Sequence, residues 1–125
     1  MSSVLQLIRF VTDGLRDTID SFAAGALPLH RFAWELRSRL DSLSGLVDGR
    51  ALAPLRSTHC IVATVDVALR ESGRTRTTTS EKRILVSALA AMRAELERLV
   101  TSVLGARRPT DLVVLVTPAI PAQAA

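Results

Sequence analysis

Over the first hundred positions, apolar residues recur at intervals of three and four, the spacing of one face of an α-helix. In the first segment Val4, Ile8, Val11, Leu15, Ile19 and Phe22 form one stripe, with Arg9, Asp13, Arg16, Asp17 and Asp20 on the opposite face. Those charges stand at helical ion-pair spacing, each pair contributing about 0.2–0.5 kcal/mol. Gly14 interrupts the segment at a cost of about 1 kcal/mol relative to alanine, so either a neighbour packs closely there or the helix is weakened. Gly25 can end the helix in the left-handed conformation. In the second segment Leu29, Phe32, Ala33, Leu36, Leu40, Leu43 and Val47 form the stripe. Pro28 suits the first turn, and Gly45 or Gly49 is the expected stop. Glu35 precedes Arg39 by four, the favourable order for an ion pair.

The third segment runs from about Leu52 to Leu69, with Pro54 expected in its first turn. Leu55, His59, Val62, Asp66 and Leu69 fall on one row, and Leu52, Ile61, Val65 and Ala68 lie near it. The β-branched content of "CIVATVDV" lowers helix propensity. Residues 60–68 also read as a buried strand, which would need "DLVVLVT" near the C-terminus as its partner; helix is the favoured assignment. "ESGRTRTTTSEKR", residues 71–83, has no large apolar side chain before its closing basic residues and reads as a loop. Thr78 precedes Glu81 by three, the spacing of a capping box, with Ser80 as a competing cap. In the fourth segment Leu85, Leu89, Met92, Leu96, Leu99 and Val103 form the stripe, and Gly105 then Pro109 are stop signals. The remaining "ARRPTDLVVLVTPAIPAQAA" has no helical period. The pattern predicts an all-α fold, a four-helix up-and-down bundle over residues 1–105 with an irregular C-terminal tail over 106–125. The short "AGAL" link makes the first two helices an antiparallel hairpin.

The chain has 125 residues, 48% hydrophobic and 22% charged, which is globular composition sufficient for one core. Aromatic residues are confined to Phe10, Phe22, Phe32 and Trp34. A core of Leu, Val, Ile and Ala suits close helix packing, and the absence of tyrosine argues against a sheet-rich sandwich. The single cysteine, Cys60, excludes an internal disulfide and a multi-cysteine zinc site. "MSSVLQLIRFVTDGLRD" lacks a basic leader and carries Arg9 and Asp13 where a signal peptide needs unbroken apolar residues. No run approaches the roughly 18 apolar residues of a spanning helix. The expected location is the cytoplasm, with no membrane contact.

Few parts for catalysis are present. His59 and Cys60 are neighbours and point about 100° apart on a helix, which does not bring sulfur to imidazole. Asp66 lies seven residues after His59, about 10 Å along the axis at 1.5 Å per residue. A buried His59 satisfied by a backbone carbonyl, or by Asp66 through water, is the simpler reading. Asp13, Asp17 and Asp20 line one helix face in a row that a cation could use, but interleaved arginines compensate them. No phosphate-cradling glycine loop, dinucleotide fingerprint or zinc motif occurs. The expectation is a non-enzymatic protein with no cofactor and no metal. A small-ligand or catalytic site built from His30, His59 and Asp66 is the least favoured alternative.

Two surfaces remain. His30 and Trp34 are four apart and share one side of the second helix. A buried Trp with neighbouring Arg is what dominates interface energetics, so Trp34 with Arg31 and Arg37, ringed also by Glu35 and Arg39, is the expected partner-binding surface. The simpler reading has Trp34 packing at the bundle's edge and His30 at the first turn. The second surface is the loop: Arg70, Arg74, Arg76, Lys82 and Arg83 against Glu71 and Glu81 give it +3 of the net charge of +4. Arginines and hydroxyls beside a helix N-terminus can bind phosphate or nucleic acid, although the same composition suits any solvated loop, and no aromatic accompanies it for base stacking.

"SFAAGALPLHRFAWELRSRLDSL" resembles the start of small helical bacterial immunity proteins of the colicin D immunity type. A helix there ends near "F-x-x-G", a short link follows, and an aromatic-bearing helix enters; Phe22, Gly25, Phe32 and Trp34 stand in corresponding places. The resemblance covers roughly the first 45 residues and implies a helical bundle that neutralises a toxin by covering its active site. Immunity proteins against nucleases usually offer an acidic surface, whereas this chain is basic, so the role implies a different target face. The leading expectation is therefore a protein-interaction domain of immunity or antitoxin type. The alternative is a nucleic-acid-associated or regulatory protein, and a homodimer is a further way to cover an exposed stripe.

Overall fold

A computed structural model describes residues 3–105. Four helices follow in order: α1 (Ser3–Ala23), α2 (Leu29–Leu43), α3 (Gly49–Glu71) and α4 (Thr79–Val103). Among the described residues there is no strand. Each helix packs on its two neighbours in the ring α1–α2–α3–α4, and the α3–α4 seam is the most extensive. Diagonal helices keep their backbones apart. This is the up-and-down four-helix bundle that the apolar periods predict. The stretch "DLVVLVT", expected as a partner strand, and the expected tail at 106–125 lie outside the described residues.

The core takes one seam from each helix. Ile8, Val11, Leu15 and Ile19 of α1 meet Phe32, Leu36, Leu40 and Leu43 of α2. Leu52, Leu55, Val62 and Val65 of α3 and Leu85, Met92, Leu96 and Leu99 of α4 complete it. Phe32 is the one aromatic buried outright, and it stacks on Phe22 with ring centroids 4.2 Å apart, tying the end of α1 to the start of α2. Val4 and Ile61, expected on or near their seams, are exposed instead.

Residues 60–68 are helical within α3. Val62 and Val65 face the core, and the Thr58 and Thr64 hydroxyls donate to carbonyls one turn back, so these threonines leave no loose hydroxyl in the helix. The ends of α3 differ from expectation. The helix starts at Gly49, not near Leu52, because Asp48 caps it by accepting from the Arg50 N–H at 3.4 Å. Pro54 consequently lies inside the helix, where its missing N–H leaves the Arg50 carbonyl without its usual partner. Pro28 stands one place earlier than a first-turn proline, as the N-cap of α2. That helix ends at Leu43, before either glycine stop. Val47, expected on its stripe, instead packs half-buried from the following turn.

At two helix ends glycine is required. Gly25 (φ 80°) and Gly73 (φ 70°) both occupy the left-handed region. Each closes a Schellman turn: Ala26 N–H donates to the Ser21 carbonyl and Gly25 to Phe22, and likewise Arg74 to Leu69 and Gly73 to Arg70. Both turns terminate helices at the same end of the bundle. There α4 begins with the full capping box: Thr78 Oγ1 accepts from the Glu81 N–H and the Glu81 carboxylate from the Thr78 N–H. Thr78, not Ser80, is the cap.

Gly14 has a packing reason. The Arg39 guanidinium of α2 lies across it, where a Cβ would collide, and Arg39 Nε donates to Thr18 Oγ1 at 3.0 Å. The Gly14→Ala substitution gains about 1 kcal/mol of helix propensity but displaces that guanidinium, losing a bond of about the same worth. Urea denaturation is expected to show a net change within about 0.5 kcal/mol in the wild-type background. With Arg39→Ala already made, the full gain of about 1 kcal/mol should appear; equal gains in both backgrounds would show that Arg39 does not rest on Gly14.

Candidate functional site

Antiparallel order brings the end of α1, the start of α2, the end of α3 and the start of α4 together at one end of the bundle. An open groove of about 1010 Å³ lies there. Phe22, Leu27 and Leu29 line it from the α1–α2 side, and Leu69, Leu85 and Leu89 from α3 and α4. Arg70, Arg74, Arg76 and Lys82 bring cations to it, and His30 and Asp66 also line it. The groove unites apolar seams that run past their neighbours with the loop the sequence marked as basic.

These cations are not equivalent. Arg74 makes two parallel contacts of 2.8 Å to Glu81, the bidentate geometry that suits guanidinium and carboxylate. Because Glu81 also closes the capping box, one carboxylate ties the loop to the first turn of α4. Arg74 and the Thr78 N–H hold its carboxyl down at about 2. Arg70 Nε approaches Asp66 Oδ2 at 3.3 Å. Arg76, Lys82 and Arg83 have no acidic partner within ion-pair distance among the described residues, and Arg83 does not line the groove. Of the five expected phosphate ligands, two are therefore engaged internally and one points elsewhere.

Of the two partners the sequence left open for His59, a backbone carbonyl and Asp66 through water, the carbonyl is the one found. Asp66 is 4% exposed. His30 Nδ1, 36 positions away on α2, contacts its Oδ2 at 2.9 Å, while Oδ1 has no hydrogen-bond partner. A carboxylate on the apolar row Leu55–Val62–Leu69 was the available signal; the α2–α3 register that delivers His30, not His59, was not. His59 instead places Nε2 3.1 Å from the Ala33 carbonyl, to which the protonated nitrogen donates. The two imidazoles do not converge on one carboxylate, and Cys60 is exposed. Among the described residues no group of three His, Cys, Asp or Glu could hold a metal ion, and no helix is long and apolar enough to cross a membrane. Two of the three carboxylates in the Asp row of α1 are drawn into ion pairs, Asp13 with Arg16 and Asp20 with Arg93 of α4.

Trp34 is 61% exposed, one turn along α2 from His30. The Arg31 guanidinium sits 6.0 Å from its ring centroid and also contacts Glu35. Arg37 reaches Asp41 at 3.9 Å. Arg39, expected beside Trp34, turns to α1, so Arg31 alone is brought against the indole.

Compared with known protein families, curated proteins and solved structures, the chain matches none.

Two titrations test this geometry. Burial, more than the nearby Arg37 and Arg56, lowers the His59 pKa, against the raising effect of the Ala33 carbonyl. Its neutral form belongs to the folded state, so its contribution is full above the ordinary histidine pKa and falls as pH drops below it. Between about pH 7.5 and about pH 5, His59→Gln should lose less stability than wild type in denaturant titrations, and equal losses would refute the assignment. Glu81 has the carboxylate sign. The stability advantage of wild type over Glu81→Gln should be present above pH 4.5 and disappear as pH falls toward about 2; an advantage independent of pH would remove the Arg74–Glu81 clamp from the account.

Proposed function

We propose that this chain is a non-enzymatic protein-interaction domain that takes an acidic, aliphatic segment of a protein partner into the groove at the end of the bundle. One observation carries the reading: an open groove with aliphatic walls has Arg76 and Lys82 at it, neither neutralised by a carboxylate among the described residues. Unpaired cations beside apolar surface attract an acidic partner over distance and then bury area against it. Arg74 and Glu81 hold the loop in place for this contact, while Trp34 with Arg31, and Arg37 a turn further on, extend the surface along α2. An immunity- or antitoxin-like role is the concrete form of the proposal: the chain neutralises a protein by covering an acidic stretch of it.

A phosphate-binding role would draw on Arg76, Lys82 and Arg83, because Arg70 and Arg74 face Asp66 and Glu81. The groove has one aromatic for base stacking, Phe22, and that ring is already stacked on Phe32. Protein recognition is therefore the stronger reading.

Random peptides displayed on phage with free C-termini and selected against the full chain provide the test. Enriched peptides are expected to combine Asp or Glu with aliphatic residues and to bind the Arg76→Glu/Lys82→Glu variant at least about tenfold more weakly, with thermal unfolding unchanged. Enrichment indifferent to those substitutions would sink the groove. Tighter, steeply salt-dependent binding of a single-stranded oligonucleotide, lost in the same variant, would replace the protein partner by nucleic acid.

A further inference from the structure

We infer that the segment seated in this groove is a chain end: the free C-terminal carboxylate of a partner protein, carried by an apolar terminal residue. The inference rests on the reading that the groove takes a protein segment, and narrows that segment to its terminus.

Three demands meet at one place. Asp66 lines the groove at 4% exposure, and its Oδ1 has no hydrogen-bond partner. A buried acceptor left unpaired costs about 1–3 kcal/mol, so a ligand that brings an N–H donor gains by satisfying it. Close by, Arg70 contacts only the other oxygen of the same carboxylate, at 3.3 Å, and Arg76 and Lys82 are unpaired, so the ligand also brings an anion. Leu69 and Leu89 present aliphatic wall beside both. Asp66, Leu69 and Arg70 stand at i, i+3 and i+4 of α3, with Arg70 in contact with Asp66. Donor, anion and aliphatic group are therefore called for within about the span of a single residue.

An apolar C-terminal residue supplies all three from one Cα: its amide N–H, its α-carboxylate and its side chain. A fatty acid lacks the donor, and a phosphate lacks the aliphatic part. An internal Asp or Glu sends its own side chain to the cations and leaves the wall to another residue. The groove is open to solvent and at about 1010 Å³ exceeds what one residue fills, which leaves room for the chain leading to the terminus. The His30 imidazole stands against Asp66 with 65% of its side chain in solvent. Because His30 holds Oδ2, turning it aside at little packing cost frees the carboxylate to rotate its unpaired oxygen toward the incoming N–H.

The experiment uses one pool of short random peptides, synthesised once with a free terminal acid and once as the terminal amide. Each pool is incubated with the full chain and the retained peptides are sequenced by mass spectrometry. The acid pool is expected to yield peptides ending in aliphatic residues, and the amide pool to yield nothing above background. Retention from both pools alike overturns the chain-end inference while leaving a groove that takes peptides; retention from neither overturns both. A retained acid peptide should bind Asp66→Asn at least about tenfold more weakly. Because that residue is buried, Arg76→Gln/Lys82→Gln, made at exposed positions, supplies a second measurement. It should show a similar loss with unchanged thermal unfolding, and undiminished binding to it places the peptide elsewhere and overturns the inference.

Discussion

Removal of four aliphatic seams from water, along one shared axis, is the constraint on which the other features of this molecule depend. Each fully buried leucine- or isoleucine-sized side chain contributes about 1.5–3 kcal/mol, and the core is made almost wholly of such residues. With one buried aromatic, the helices are held by many small contacts and not by a few large anchors. Polar groups at this interface must be satisfied locally, and the buried hydroxyls of Thr12, Thr18 and Thr58 do so by donating to carbonyls three or four residues back.

The arginines divide by what surrounds them. Arg16 with Glu97, Arg93 with Asp20, and Arg56 with Asp41 join neighbouring helices across their solvated edges. Such exposed pairs contribute little individually. At the groove end, cations meet apolar surface instead. Arg76 and Lys82 stand beside leucines, and the one buried carboxylate there has half of its acceptors unmet. Under the proposed function, cations beside apolar wall are what an acidic, aliphatic segment would meet at this end of the bundle.

That place exists because of how the helices stop. Gly25 and Gly73 reverse the chain in the same kind of turn, while Thr78 and Glu81 start α4 and hold Arg74. The loop is thereby fixed at both sides, which lowers the entropy lost when a partner orders it. His30 and Asp66 then join α2 to α3 under that loop, so the groove floor belongs to the same packing that sets the helix register.

The amino-acid order alone determined the number of helices, their buried faces, the capping box at Thr78 and the left-handed turn at Gly25. All of these are local consequences of a 3.6-residue period and of backbone hydrogen bonding within a few positions. It also left Gly14 as either a close approach or a weak point of its helix, and set Asp66 as a charge within an apolar row. It could not name the partners of these residues. Arg39 on Gly14, His30 on Asp66 and the Ala33 carbonyl on His59 are meetings between different helices, set by axial register, and no sequence period carries that register. Similarly, "RESGRTRTTTSEKR" reads as five equivalent cations among acids and spacers. Arg70 meets Asp66 at ordinary i,i+4 spacing within α3. Only the folded loop decided that Arg74 would close on Glu81 and leave Arg76 and Lys82 to face the groove, because such pairing depends on distance in space and not on position along the chain.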